Sequence, residues 1–234
     1  MSQPWGIVQA RMSSKRLPGK VLKPVDGKPL LEYLLQRLEK ADQLEKVMVI
    51  TSVEESDNPI AEFCKNRGQL CYRGPLADVA GRFLEAVQHF KIASFVRINA
   101  DSPMMDPRLV NQAVKLFDEK SVDLVSNVFK RSFPKGQSVE VVKSQTLLAA
   151  YPRMTAVDRE HVTPFFYQHP EEFEIYNFEA PEHNYAAVNL SVDTPEDLSF
   201  FENAVKRAGA HPMVLPWLAW VELYKTAGAP AGLR

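Results

Sequence analysis

Apolar residues along this chain alternate between two patterns. Short continuous runs at residues 5–10, 46–51, 70–72, 94–98 and 123–126 predict buried strands. Between them, apolar positions recur at helical spacing. Over 29–41 they are Leu30, Leu31, Leu34, Leu35 and Leu38, behind Pro29 near the first turn. Over 78–90 they are Val79, Phe83, Ala86, Val87 and Phe90 on one face. Segments 59–66, stopped by Gly68, and 107–119, opened by Pro107, are the remaining predicted helices of this half. Strands alternating with helices over the first 127 residues predict an α/β fold with a Rossmann-like, doubly wound, mostly parallel sheet.

The rhythm changes at Asn127. Residues 128–142 contain Phe133, Pro134, Lys135 and Gly136, followed by Val139, Val141 and Val142, and this predicts a hairpin rather than another crossover unit. Residues 151–167 read as helical in parts, 173–178 as a strand, and 188–192 as a strand that returns to the main sheet. Trp217, Leu218, Trp220, Val221 and Tyr224 follow Pro216 at helical spacing and predict a packing helix. The expectation is a single domain over 1–234, with 128–187 as a β-hairpin and helical arm.

Composition narrows the function classes. With 234 residues, 45% hydrophobic and 24% charged, the chain can bury one substantial core. The net charge of -1 gives no bulk attraction to nucleic acid or to anionic lipid, so neither partner is expected and the cations must act locally. Cys64 and Cys71 stand in no metal-binding spacing. The N-terminal residues lack the features of a signal peptide and no apolar run approaches a membrane span, so a reduced, cytoplasmic protein is expected.

The basic loop after the first strand carries the chemistry. Arg11, Lys15, Arg16 and Lys20, with Pro18 and Gly19 as a rigid turn, lie where open α/β sheets hold ligands, and this predicts a phosphate site rather than a merely solvated loop. The loop matches neither the Walker A motif nor G-x-G-x-x-G, so ATPase and dehydrogenase readings lose their support.

Asp106 and Asp197 have helix-capping explanations, with Thr194 as N-cap and Pro195 at the first helical position of the second helix. Asp101 and Asp193, each at the end of a predicted strand, have none. They are predicted to meet across the crevice and hold one Mg²⁺, which takes one or two protein carboxylates together with phosphate oxygens and water. Segment 74–83 reads equally as a helix start around Asp78 or as a nucleotide-contacting loop. His161 alone is more often structural than catalytic.

Five segments in order resemble the cytidylyltransferase family of the spore-coat polysaccharide type and, more distantly, acylneuraminate and 3-deoxy-manno-octulosonate cytidylyltransferases. They are Gln9-Ala10-Arg11-Met12-Ser13-Ser14-Lys15-Arg16-Leu17-Pro18-Gly19-Lys20, Asp78-Val79-Ala80-Gly81-Arg82-Phe83, Arg97-Ile98-Asn99-Ala100-Asp101-Ser102-Pro103, Arg159-Glu160-His161-Val162-Thr163-Pro164 and Val192-Asp193-Thr194-Pro195-Glu196-Asp197-Leu198. The resemblance implies a nucleotide-diphosphosugar transferase fold that binds CTP over the first loop, often as a homodimer joined through the arm. It implies catalytic roles for Arg11, Lys20 and Asp101, nucleotide contacts at Ala10, Arg11, Ser13, Arg16, Lys20, Asp78, Arg97 and Asn99, and Mg²⁺ on Asp101 and Asp193. Lys135, Arg159 and His161 are candidate contacts for an acidic-sugar acceptor, although Lys135 and Arg159 fit solvated or interfacial roles equally well. Ser13 stands where many relatives have glycine, and Asn99-Ala100-Asp101-Ser102 replaces the commoner Thr-Gly-Asp-Cys.

The expected activity is therefore Mg²⁺-dependent transfer of CMP from CTP to an acidic sugar with release of pyrophosphate. Two rivals share the fold. A glycosyltransferase that consumes a nucleotide-sugar would release no pyrophosphate from CTP. A catalytically silent binding subunit would show neither turnover nor stabilisation by CTP with Mg²⁺.

Overall fold

The computed structural model describes residues 2–209 and 211–227. Its central sheet has seven strands in the order β5-β4-β1-β6-β8-β7-β9. These are β1 (Trp5–Gln9), β4 (Val47–Ser52), β5 (Cys71–Gly74), β6 (Ser94–Asn99), β7 (Leu124–Ser126), β8 (Glu140–Lys143) and β9 (Ile175–Asn177). All run in one direction except β8, which is antiparallel to both β6 and β7.

The chain builds outward from β1 through β4 to β5, then returns to β6 on the other side of β1. Strand order therefore reverses between β1 and β6, and an open α/β sheet binds its ligand beyond the carboxyl ends of such a pair.

Both faces of the sheet are covered, which is why its strands read as apolar runs. Successive residues point to opposite sides: Ile7, Met48, Ile50, Phe95 and Val142 join one core cluster, and Val8, Val49, Val96 and Val141 join the other. Helices α1 (Leu30–Leu38), α2 (Asn58–Arg67), α4 (Pro107–Lys120), α8 (Pro195–Ala208) and α9 (Trp217–Ala227) bring Leu34, Ile60, Val110, Phe201 and Trp220 to the Val8 side. Helices α3 (Val79–His89), α5 (Ser144–Ala150) and α7 (Pro164–Gln168) bring Phe83, Leu147 and Phe166 to the Ile7 side, where α6 (Ala156–His161) packs against α3.

Three parts of the fold differ from the expectation. Residues 188–192 form no strand of the sheet, because β8 already occupies the edge of β6 where a returning strand would pair. They run extended instead, tied by an isolated parallel bridge between Lys135 and Asn189 and by the Val192 amide donating to the Asp101 carbonyl at 2.8 Å. The expected hairpin is present only as the antiparallel pairing of β7 with β8, joined by a long connection over 127–139 rather than a tight turn. Its Gly136, at φ 84, brings the chain so close to Leu190 that a Cβ there would lie 2.5 Å from the Leu190 carbonyl carbon. Finally, a small hairpin of β2 (Pro24–Val25) and β3 (Lys28–Pro29) precedes α1, around an Asp26-Gly27 turn with both residues at positive φ.

Candidate active site

The basic loop leaves β1 at the switch point and is pinned from behind. The Met12 amide donates to Asp57 Oδ1 at 2.7 Å, while the Ser52 amide and hydroxyl donate to Asp57 Oδ2, so a fully buried carboxylate ties the loop to the end of β4. The Met12 carbonyl in turn accepts from the Ser14 and Gly19 amides, both at 2.9 Å. This folds the loop back on itself and delivers Lys20, largely buried, at the start of a short 3-10 turn (Lys20–Leu22).

Asp101 lies just past β6 and Asp193 just before α8. The two come together on Lys20, whose Nζ donates to Asp101 Oδ2 at 2.7 Å and to Asp193 Oδ1 at 2.8 Å. Arg16 Nη2 lies 2.9 Å from Asp193 Oδ2. Asp193 is set by the capping box of α8, in which Asp197 Oδ2 accepts from the Asp193 and Thr194 amides. Burial works to raise the pKa of the Asp193 carboxyl but is outweighed by the hydrogen bond and charge of Lys20, with Arg16 and Lys135 adding, and the net shift is downward.

Two adjoining compartments open over this centre. The larger, about 610 Å³, is lined by Ala10, Arg11, Ser13, Lys15, Arg16, Lys20, Leu76, Ala77, Asn99, Asp101, Glu160 and Asp193, among others. The smaller, about 370 Å³, shares Gln9, Ala10, Arg11, Arg16, Asn99, Asp101, Glu160 and Asp193 with it and adds Val79, Arg82, Arg97 and His161. Arg11 lies half exposed across the mouth, 3.6 Å from Glu160.

Arg97 is held by its neighbours, donating to the buried Glu140 at 2.6 Å and to Gln9 at 3.2 Å. Glu140 also accepts from Tyr167 OH, and burial first, then the Glu140 charge, pushes that phenol well above its ordinary pKa. Asn99 Oδ1 is buried without a hydrogen-bond partner.

Three of the expected site residues line neither compartment. Asp78 is the N-cap of α3, accepting from the Gly81 amide at 2.7 Å and from Tyr151 OH at 2.5 Å, so segment 74–83 is a helix start whose preceding Leu76 and Ala77 face the cleft. The Arg159 guanidinium lies over the Tyr151 ring at 4.4 Å and 3.8 Å from Asp78. Lys135 is exposed, beside the bridge to Asn189. Conversely, Asp57, Arg82 and Glu160 belong to the cleft or its support and were not singled out from sequence. Asp57 precedes a predicted helix without a motif of its own, Arg82 lies in the segment that reads equally as helix start or loop, and Glu160 lies in a polar run whose fold the sequence leaves open.

A cleft at the switch point, floored by a basic loop and a carboxylate pair, suits a polyphosphate. A family model described as cytidylyltransferase matches residues 5–211. The chain belongs to the cytidylyltransferase family. It is 31% identical over 216 residues to the spore coat polysaccharide biosynthesis protein SpsF of Bacillus subtilis, covering 89% of this chain and 88% of that one. A cytidylyltransferase structure from Leptospira borgpetersenii superposes with a TM-score of 0.90 at 27% identity, covering 97% of this chain and 95% of that one. The fold also matches a CMP:2-keto-3-deoxy-manno-octonic acid synthetase complexed with CTP, with a TM-score of 0.66 at 16% identity over 88% of this chain and 99% of that one. The protein is thus a nucleotidyltransferase on a mostly parallel α/β sheet. Among the described residues no helix is long and apolar enough to cross a membrane.

Proposed function

We propose that this cytidylyltransferase transfers CMP from CTP to an acidic sugar, releasing pyrophosphate, in the assembly of a surface polysaccharide. The observation that carries the reading is the convergence of Asp101 and Asp193, 92 residues apart in sequence, on the cation Lys20 beneath the basic loop. A fold-mate was captured with CTP, and a relative serves polysaccharide biosynthesis.

The donor set fits a divalent cation. The Lys20 ammonium bridges the two carboxylates, so they stand close enough to share one cation. That suits Mg²⁺, which prefers one or two carboxylates with phosphate oxygens and water to an all-protein cage. Asp101 and Asp193 would hold it, and when bound it supplies charge neutralisation for the triphosphate and the leaving pyrophosphate.

The remaining work falls to the chain. An anionic acceptor approaching a triphosphate is repelled, and Arg11, Lys15, Arg16 and Lys20 supply positive charge on the triphosphate side. Asp57 anchors the backbone of the loop that carries them, so their charges stand over the triphosphate as an acceptor oxygen attacks the α-phosphorus and charge moves onto pyrophosphate. Residues 128–187 form the acceptor arm and the contact of a homodimer in this reading, with Leu148 and Val157 as exposed apolar residues on it.

A panel of nucleoside triphosphates crossed with acidic sugars, read by pyrophosphate release, tests the proposal. Turnover with CTP and an acidic sugar is expected. Turnover only with another triphosphate, or none in any combination, overturns it.

A further inference from the structure

Among the described residues, two guanidinium groups are almost wholly buried, and they are treated differently. Arg37, 1% exposed, spends its N–H groups on three carbonyls: Nε donates to Met105 at 2.6 Å, Nη1 to Pro212 and Nη2 to Leu215, both at 2.8 Å. Arg82, 2% exposed, has no such partners. Its Nε and Nη1 are buried without a hydrogen bond, and among the described residues no carboxylate lies within the 4 Å of an ion pair. The acid that contributes most to its field, Asp57, is already committed to Met12 and Ser52. Burial lowers the Arg82 pKa to about 10, which leaves the group charged at neutral pH.

The stem of Arg82 is built into place. It passes over Gly74 at the end of β5, where an added Cβ would lie 3.1 Å from Arg82 Cγ, so the absence of a side chain there makes room for it. A buried, unpaired cation is costly, and in water-excluded sites such charges are normally paired. Here the compartment itself offers the space for a partner. Arg82 lines the smaller compartment and not the larger, as do Val79, Arg97 and His161. Arg97 is satisfied by Glu140, whereas Arg82 is not. Asn99, whose buried Oδ1 has no hydrogen-bond partner, lines both compartments.

Both compartments share Asp101, Asp193, Arg11 and Arg16, so ligands in the two meet at the carboxylate pair, as the substrates of a transfer must. The basic loop assigns the triphosphate to the larger one. We propose that Arg82 anchors the acceptor in the smaller compartment, its unpaired guanidinium charge matched to the acceptor's anionic group, with Asn99 beside it for a sugar hydroxyl. This rests on the cytidylyltransferase reading of the cleft and adds the residue that selects an acidic acceptor.

The test follows thermal unfolding of the wild type, Arg82→Gln and Arg82→Lys. Each is measured alone, with CTP and Mg²⁺, and with CTP and Mg²⁺ plus 3-deoxy-manno-octulosonate, N-acetylneuraminate, glucose 1-phosphate or neutral glucose. CTP with Mg²⁺ is expected to raise the Tm of all three proteins alike. At least one anionic sugar should add a saturable rise in the wild type, while glucose adds none. Arg82→Gln should need at least tenfold more of that sugar for the same rise, with Arg82→Lys in between and the unliganded Tm of Arg82→Gln no lower than wild type.

The carboxylate and phosphate arms identify which anion the site takes. The proposal is overturned if no anionic sugar acts on the wild type, if Arg82→Gln responds as the wild type does, if the variant instead loses its response to CTP, or if both variants melt lower with ligand responses unchanged. Failure of CTP to stabilise the wild type would sink the underlying reading instead.

Discussion

The carboxylate of Asp57 accepts three hydrogen bonds, from the Met12 amide and from the amide and hydroxyl of Ser52, and none of its surface reaches solvent. Removing it leaves buried donors unpaired, at about 1–3 kcal/mol each. Asp57→Ala is therefore expected to lower Tm by several degrees and to weaken CTP binding severalfold, because the loop bearing Arg11, Lys15 and Arg16 loses its anchor; calorimetry and titration with CTP read the two effects. Asp57→Asn keeps a carbonyl acceptor and should lose less. At this scale the sequence was informative about side chains without another duty. Asp101 and Asp193 stood out because no cap claimed them, and they do converge on Lys20. Asp57 lies outside every motif, and Arg82 lies in a segment that reads equally as a helix start or a loop, so the significance of each arises only from partners, or the lack of them, supplied by the fold.

Two elements place the carboxylates and the cleft wall. The extended segment that ends in Asp193 is held against Gly136, whose φ of 84 and close approach to Leu190 leave no room for a side chain. Gly136→Ala should displace this segment, lowering both Tm and pyrophosphate release, while Gly209→Ala, strained at φ 64 but with no close neighbour among the described residues, should lower Tm and spare turnover.

Helix α6, which presents Glu160 and His161, starts with a capping box in which the Thr155 amide and hydroxyl donate to Asp158 and the Asp158 amide donates back to Thr155 Oγ1. The Thr155 side-chain hydrogen bond, then its backbone one, lower the Asp158 pKa from its ordinary 3.8. A depressed folded-state pKa contributes stability that is present above the ordinary value and lost as pH falls through the folded one. Urea midpoints should accordingly decline as pH falls below about 4, and Asp158→Asn should flatten part of that limb.

The apolar run at 188–192 shows the limit of reading elements locally. Its pattern is that of a strand, but a strand needs a free edge, and the distant residues of β8 had already taken it. The Asp26-Gly27 hairpin was likewise not anticipated, although its turn residues suit the positive φ angles they adopt.

As a whole molecule, the protein separates a nearly neutral net charge from a cleft whose larger compartment sets four cations against three carboxylates. Strand and helix alternation made the doubly wound sheet legible, since period and length reflect local burial, whereas the reversed β8 depends on pairing between distant segments. A ligand that binds only the folded state at 100 times its dissociation constant adds about 2.7 kcal/mol. In a chain of this size that is about 5–10 °C in Tm, expected for CTP with Mg²⁺ and abolished by EDTA.

The most direct test of the central claim, that Lys20 and its two aspartates form the phosphate-transfer centre, is the steady-state rate of pyrophosphate release from CTP with an acidic sugar in Lys20→Ala beside the wild type. Loss of a positioned charge at the leaving group predicts a fall in kcat of about 10²-fold or more with the fold intact. Turnover near the wild-type rate would contradict it.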